Sequence, residues 1–187
     1  MDKRLITEFN LKSGEKVFIR HIQPCDAADY VRFHLQITKE TEYTSIAESE
    51  VCGNISLIRN MLEKFCRSQR AVFNVCIANG KIIGMCRLTP LSGIMKKHRC
   101  EMSIGVIKKY CGMGIGSLLT QITLGQADSF EQVELTVMES NSAAISLYEK
   151  YGFVQTGIIP NAFHLSGGKE ENAILMVRDL RKTTEEK

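Results

Sequence analysis

The stretch that most constrains this chain is Glu101-Met-Ser-Ile-Gly-Val-Ile107, running straight into Lys108-Lys-Tyr-Cys-Gly-Met-Gly-Ile-Gly-Ser-Leu-Leu119. The first half reads as an apolar strand, and the second as a glycine-rich turn that opens into an amphipathic helix. Gly112, Gly114 and Gly116 carry no side chain that would hold a ligand off the backbone. A helix start adds unpaired amides and the positive end of the helix dipole, so the pattern describes an anion site suited to a phosphate.

Spacing decides which phosphate. A P-loop needs a Gly-Lys pair followed by Ser or Thr, and none follows Gly112 or Gly114. The dinucleotide pattern Gly-x-Gly-x-x-Gly needs glycine where Ser117 stands, so a nucleotide-binding reading misses by one position. Cys111-Gly112-Met113-Gly114-Ile115-Gly116 instead resembles the coenzyme A loop of the GCN5-related N-acetyltransferases, Gln/Arg-x-x-Gly-x-Gly/Ala, with Cys111 in place of the usual Gln or Arg. Downstream, Asn141-Ser-Ala-Ala-Ile-Ser-Leu-Tyr148-Glu-Lys-Tyr-Gly152-Phe153 resembles that family's second signature, Asn-x-x-Ala-x-x-Leu-Tyr-x-x-x-Gly-Phe, at every fixed position. The two lie in the family order, one helix and one strand apart, and the resemblance runs from about Val17 to Val177.

The resemblance implies an α/β fold: one acetyltransferase domain over 1–187, with its core at about 17–179 and a frayed charged tail at 181–187. Its mostly antiparallel sheet would splay between a fourth and a fifth strand, here Glu101–Ile107 and Gln132–Met138. The implied cofactor is acetyl-CoA. Its pantetheine would pair with backbone around Ile104, Gly105 and Val106, and its pyrophosphate would take amides from Gly112, Met113, Gly114, Ile115, Gly116 and Ser117, with Cys111 opening the cofactor loop where a side-chain anchor is lost. Asn141 reads first as a helix N-cap, and in the family also touches the cofactor arm. Tyr148 reads as a core aromatic on the stripe of Ile145, and in the family points its hydroxyl at the cofactor sulfur.

Taken in order, the other elements fit a mixed α/β chain. Val17 to Ile22 alternates as a strand. Asp26 is a suitable N-cap for a helix from Ala27 to about Lys39, with Asp29 favouring its dipole. Ile55, Ile58, Met61, Leu62 and Phe65 form one helical stripe. Asn79-Gly80 marks a tight hairpin between Ala71–Ala78 and Lys81–Leu88. The helix after the glycine turn is expected to turn Leu118, Leu119 and Ile122 inward and to run to about Ser129. Gln132–Met138, a strand from Gly152, a turn at Ser166–Gly168 and a strand Glu171–Asp179 complete the chain.

Composition narrows the function classes. The 187 residues carry a net charge of +3, with no basic block or aromatic-basic interleaving, which speaks against a nucleic-acid binder. No apolar run approaches the length of a membrane span, and the N-terminus lacks a leader pattern, so the expected location is cytoplasmic. The seven cysteines are scattered without a C-x-x-C pair, and the four histidines add no ligand spacing. Free buried thiols are expected rather than disulfides or a metal site.

Acetyl transfer to an amine requires the neutral amine. At pH 7 an alkylamine holds its proton by about 4–5 kcal/mol, so a base or a desolvated site must offset that. Tyrosine is the weaker acid against a thiol by about 2 kcal/mol, so Tyr148 would act chiefly as a hydrogen-bond donor to charge growing on sulfur. Some relatives place a Glu base where this chain has Thr136, which leaves Glu101 as the candidate and Glu139 as a further one. Cys111, near a helix start, is expected to have a lowered thiol pKa. Glu40, Glu42, Glu48 and Glu50 read first as a solvated polar loop, and otherwise as a cluster that would draw in a cationic acceptor. The expected activity is direct transfer from acetyl-CoA to a primary amine of a small molecule or peptide. The alternative is a decayed acyl-CoA-binding module on the same fold, and a homodimer is compatible with either.

Overall fold

The computed structural model describes residues 5–44, 48–51 and 53–181. Eight strands form one mixed sheet in the order β1-β2-β3-β4-β5-β6-β8-β7. Among the described residues there are four α-helices. The chain divides into two compact units, residues 1–87 with 104–126, and residues 88–103 with 127–187.

The first unit contains β1 (Leu5–Asn10), β2 (Lys16–His21), α1 (Ala27–Glu40), α2 (Ile55–Arg67), β3 (Val72–Ala78) and α3 (Ile115–Leu124). It also holds most of β4 (Lys81–Pro90) and the end of β5 (Arg99–Val106). β1, β2 and β3 pair antiparallel. Asn79 and Gly80 both take positive φ (48° and 72°), which gives the hairpin the twist its strands need. Val17, Ile19, Phe33, Leu62, Val75, Ile115 and Leu119 are fully or almost fully buried and make the core of this unit. Each such side chain contributes about 1.5–3 kcal/mol when taken out of water. Gly84 lets α3 come close: a Cβ there would meet Leu119 Cδ1 at 3.1 Å and Ile115 Cγ2 at 3.3 Å.

Three local expectations change here. β1 was not expected; none of residues 6–10 is buried, so no apolar stripe marks it, and it moves the expected fourth and fifth strands to β5 and β6. Asp26 does not cap α1; its carboxylate accepts from the Gln23 amide (2.7 Å) and takes both Arg20 nitrogens (2.7 and 2.8 Å), holding the 3-10 turn Pro24–Asp26 instead. α3 ends at Leu124, ahead of Gly125, and buries Ile115, Leu119, Thr120, Thr123 and Leu124. Leu118 and Ile122 are only half-buried.

The second unit contains β6 (Gln132–Met138), α4 (Ser142–Lys150), β7 (Val154–His164) and β8 (Glu170–Asp179). β5 and β6 run parallel, as a connection through a helix allows, but their register covers only Arg99–Glu101 against Gln132–Glu134. β8 pairs antiparallel with β6 and with β7. Leu88, Val133, Leu135, Phe153 and Met176 form its core. Arg181, expected to fray, is held by Asp179 (3.0 and 2.9 Å); residues 182–187 lie outside the described residues. No helix among the described residues is long and apolar enough to cross a membrane.

His34 gives the fold a pH dependence. Its ring is buried against Tyr30 and Phe33, and neither ring nitrogen has a hydrogen-bond partner among the described residues. Burial first, and then the Arg87 charge, push the imidazole down from 6.5 to about 4. The unfolded chain therefore takes up a proton near pH 6.5 that the folded chain refuses until about pH 4. This contribution to stability is whole above pH 6.5 and is lost as the pH falls toward 4. Thermal melts of wild type and His34→Phe should therefore diverge in slope, with the variant losing less stability between pH 6.5 and pH 4.5. Parallel slopes would show that His34 does not titrate differently on folding.

Candidate active site

The glycine turn is built in the first unit. β5 ends at Val106, and a 3-10 turn at Lys108–Tyr110 follows. The Ile107 amide donates to Ile83 O (2.9 Å), and the Tyr110 hydroxyl donates to Glu15 (3.0 Å), which also accepts from Asn79 Nδ2 (2.7 Å). Gly112 (φ 75°) and Gly114 (φ 86°) both lie in the left-handed region, with Gly114 as the N-cap of α3. This is where glycine is required. A Cβ at either position would meet no atom within 4 Å, so the space beside this backbone is open. The Leu118 amide donates to Gly114 O (3.0 Å), which starts the α-helical ladder. The amides of Gly114 to Gly116 precede it and belong to those a helix leaves unsatisfied. An open, positively poised backbone of this kind fits a pyrophosphate.

Cys111 departs from expectation. Its thiol is pushed up, by burial first and then by the Glu40 charge, with Lys108 acting the other way. It lies four residues before α3 begins, on extended backbone, with Sγ against the carbonyls of Val106 (3.6 Å) and Ile107 (3.7 Å). The expected thiol inventory changes too: Cys25, Cys66 and Cys111 are exposed, while Cys76, Cys86 and Cys100 are buried. Burial pushes Cys76 and Cys86 up to about 12, which leaves them inert. Cys52 lies outside the described residues.

Gly105, near the end of β5, faces α1; a Cβ there would meet Ile37 Cδ1 at 2.9 Å. Its strand neighbours Ile104 and Val106 are half-buried. The acidic segment after α1 is less available than its composition suggests. Glu40 accepts from the Lys108 amide (2.7 Å), and Glu48 pairs with Lys39 (3.0 Å). Residues 45–47 of that segment lie outside the described residues.

In the second unit, Asn141 caps α4 as expected, its Oδ1 accepting from the Ala144 amide (3.2 Å). Tyr148 is buried, its ring 5.8 Å from that of Phe153. Its carbonyl accepts from the amides of Tyr151 (2.9 Å) and Phe153 (3.1 Å), so the last turn of α4 holds the ring in place. Glu101 is exposed on β5, and its carboxylate makes no hydrogen bond or ion pair among the described residues. Its cross-strand neighbour Glu134 is taken by the Arg99 guanidinium. Glu139 is occupied: it accepts from Asn172 Nδ2 (2.8 Å), while Asn172 Oδ1 accepts from the amide of Asn161 (3.0 Å), a positive-φ residue in the bulge of β7. Glu171 was not singled out by sequence, yet it is buried and accepts the Ser140 amide (2.9 Å) just before the Asn141 cap. That backbone bond, with help from Lys169, holds its carboxyl below the usual range.

With this geometry in view, the relatives can be placed. The model of the Acetyltransferase (GNAT) family matches residues 37–153, more than half of the chain, and the chain belongs to that family. It is an N-acetyltransferase of a family that uses acetyl-CoA. It is 30% identical over 126 residues to an N-alpha-acetyltransferase of Sulfurisphaera tokodaii, covering 61% of this chain and 72% of that protein. It is 26% identical to the L-amino acid N-acetyltransferase AaaT of Escherichia coli, over 56% of this chain and 65% of that protein. A GNAT-family acetyltransferase structure from Streptococcus pneumoniae superposes with TM-score 0.84 at 29% identity, covering 88% of this chain and 99% of that one.

Two substitutions test the local geometry. Asn141→Ala removes the α4 cap and should cost about 1 kcal/mol of stability, while Asn141→Asp should retain most of it. Gly114→Ala meets no steric obstacle, so its cost should be the left-handed strain alone, about 1–2 kcal/mol of unfolding free energy measured by denaturant titration.

Proposed function

We propose that this protein transfers the acetyl group of acetyl-CoA directly to a primary amine, from one acetyltransferase domain with its core at about 17–179. The observation that carries the reading is the open glycine turn with two left-handed residues leading into α3. Acetyl-CoA, when bound, supplies the activated acetyl thioester. The amides from Gly112 to Ser117 hold its pyrophosphate, while the Cys111 amide is spent on Lys108 O (3.1 Å), and the backbone of Ile104, Gly105 and Val106 pairs with its pantetheine arm. Asn141 fixes the start of α4 and touches that arm. Tyr148 donates its hydroxyl to the sulfur. Glu101, an exposed carboxylate with no competing partner among the described residues, takes the amine proton, through water where the distance requires it.

The names of the relatives favour an α-amino group as the acceptor, either of a free amino acid or of a protein N-terminus. One observation favours a second reading, a binding module with lost chemistry: Thr136 stands at a position where relatives carry an acid, and Glu139 is tied to Asn172.

Calorimetric titration of acetyl-CoA followed by thiol-release assays against pooled amino acids and N-terminal peptides separates the two. The enzyme reading expects binding with thiol release, and Tyr148→Phe should lower kcat at least about tenfold while leaving acetyl-CoA affinity within about twofold. Binding without release on any pool supports the module. Absence of binding removes the cofactor assignment.

A further inference from the structure

One face of α1 carries a hydrogen-bond chain that ends on the 3-10 turn just ahead of the glycines. The Ile82 amide donates to Asp29 Oδ2. Arg32 donates to Asp29 Oδ1 (2.6 Å) through Nε, to Ile82 O (2.9 Å) through Nη2, and to Gln36 Oε1 (3.1 Å) through Nη1. Gln36 Nε2 donates to Glu40 Oε1 (2.9 Å), and the Lys108 amide donates to Glu40 Oε2 (2.7 Å). Positions 29, 32, 36 and 40 follow the three- and four-residue spacing that aligns side chains on a helix. The chain therefore runs without a break from the backbone of β4 to the first residue of the turn that precedes Cys111.

Its last member sits where local physics disfavours it. Glu40 closes α1, and a carboxylate at a helix C-terminus opposes the dipole. It also lies near a turn that the proposed function assigns to an anion, where its charge again opposes the ligand. A residue that breaks two local rules while making two good hydrogen bonds is explained by those bonds. Carboxylate oxygens alone accept from both sides, and both neighbours here, the Gln36 amide group and the Lys108 N–H, are donors.

We infer that Glu40 is a positioning residue for cofactor binding: it fixes the Lys108 amide, and so the orientation of the amides from Gly112 to Ser117, against α1 and β4. The inference rests on the proposed role of that turn. Polarity makes it testable. In Glu40→Gln the new amide accepts from Lys108 but presents its NH2 to Gln36. If Gln36 flips to accept, it turns its own NH2 toward Arg32, and the chain breaks. In Gln36→Glu/Glu40→Gln every donor again meets an acceptor, with the charge one turn further from the anion site.

The experiment measures acetyl-CoA affinity by calorimetry and amide hydrogen exchange over residues 108–117 in the unliganded protein, for wild type, both single variants and the double variant. Glu40→Gln should weaken acetyl-CoA about three- to tenfold, the worth of one hydrogen bond, and should speed exchange over 108–117. The double variant should restore slow exchange and bind within about twofold of wild type or tighter. Unchanged exchange in Glu40→Gln overturns the inference, as does a double variant as defective as the single one. If wild type binds no acetyl-CoA, the cofactor assignment fails, and the exchange data still decide whether Glu40 holds the turn.

Discussion

The handover from β5 to α3 depends on two backbone angles. With Gly112 and Gly114 in the left-handed region, the chain that leaves the 3-10 turn after β5 reverses tightly enough for α3 to start at Ile115. Ile115 and Leu119 then reach β4 at Gly84, where the absence of a side chain permits the contact. An L-residue with a Cβ at Gly114 costs torsional strain, and one at Gly84 crowds the helix. The amides at the start of α3 therefore gain their direction from the core behind them, so preorganisation of the proposed anion site would follow from packing. The turn is held from outside as well, by Glu15 on Tyr110 and Glu40 on Lys108.

What the sequence made legible was local. The Asn79-Gly80 hairpin, the Asn141 cap and the α2 stripe rest on residues within a few positions of one another, and each is present. The features that escaped it depend on distant partners. Thr123 is buried in α3 because Asn74, 49 residues earlier, donates to its hydroxyl (2.9 Å). A stripe drawn from apolar residues alone therefore chose Leu118 and Ile122. Cys111 looked activated by its nearness to a helix start, but the helix begins later, and burial, then the Glu40 charge from a different element, raise the thiol. The family motifs were legible for another reason: glycine at a positive φ and asparagine at an N-cap are demanded by backbone geometry, so the constraint is written in the residue itself.

The same distinction orders the carboxylates weighed for amine deprotonation. Sequence names Glu101 first and Glu139 second, and hydrogen bonds separate these and their acidic neighbours. Glu139 holds Asn172 and thereby the bulge of β7, and Glu134 is bound by Arg99. Glu171 accepts a backbone amide that stabilises its charged form. A carboxylate already satisfied by donors gains less from a new proton, which makes it a weaker base than an unencumbered one. Glu101 has no such partner among the described residues and stands exposed on the strand whose end approaches the glycine turn. Since the amine's proton is held by about 4–5 kcal/mol at pH 7, even a free carboxylate does not remove it unaided. The acceptor must bind where burial lowers the ammonium pKa, and the role proposed for Glu101 is then to carry away a proton that desolvation has already loosened.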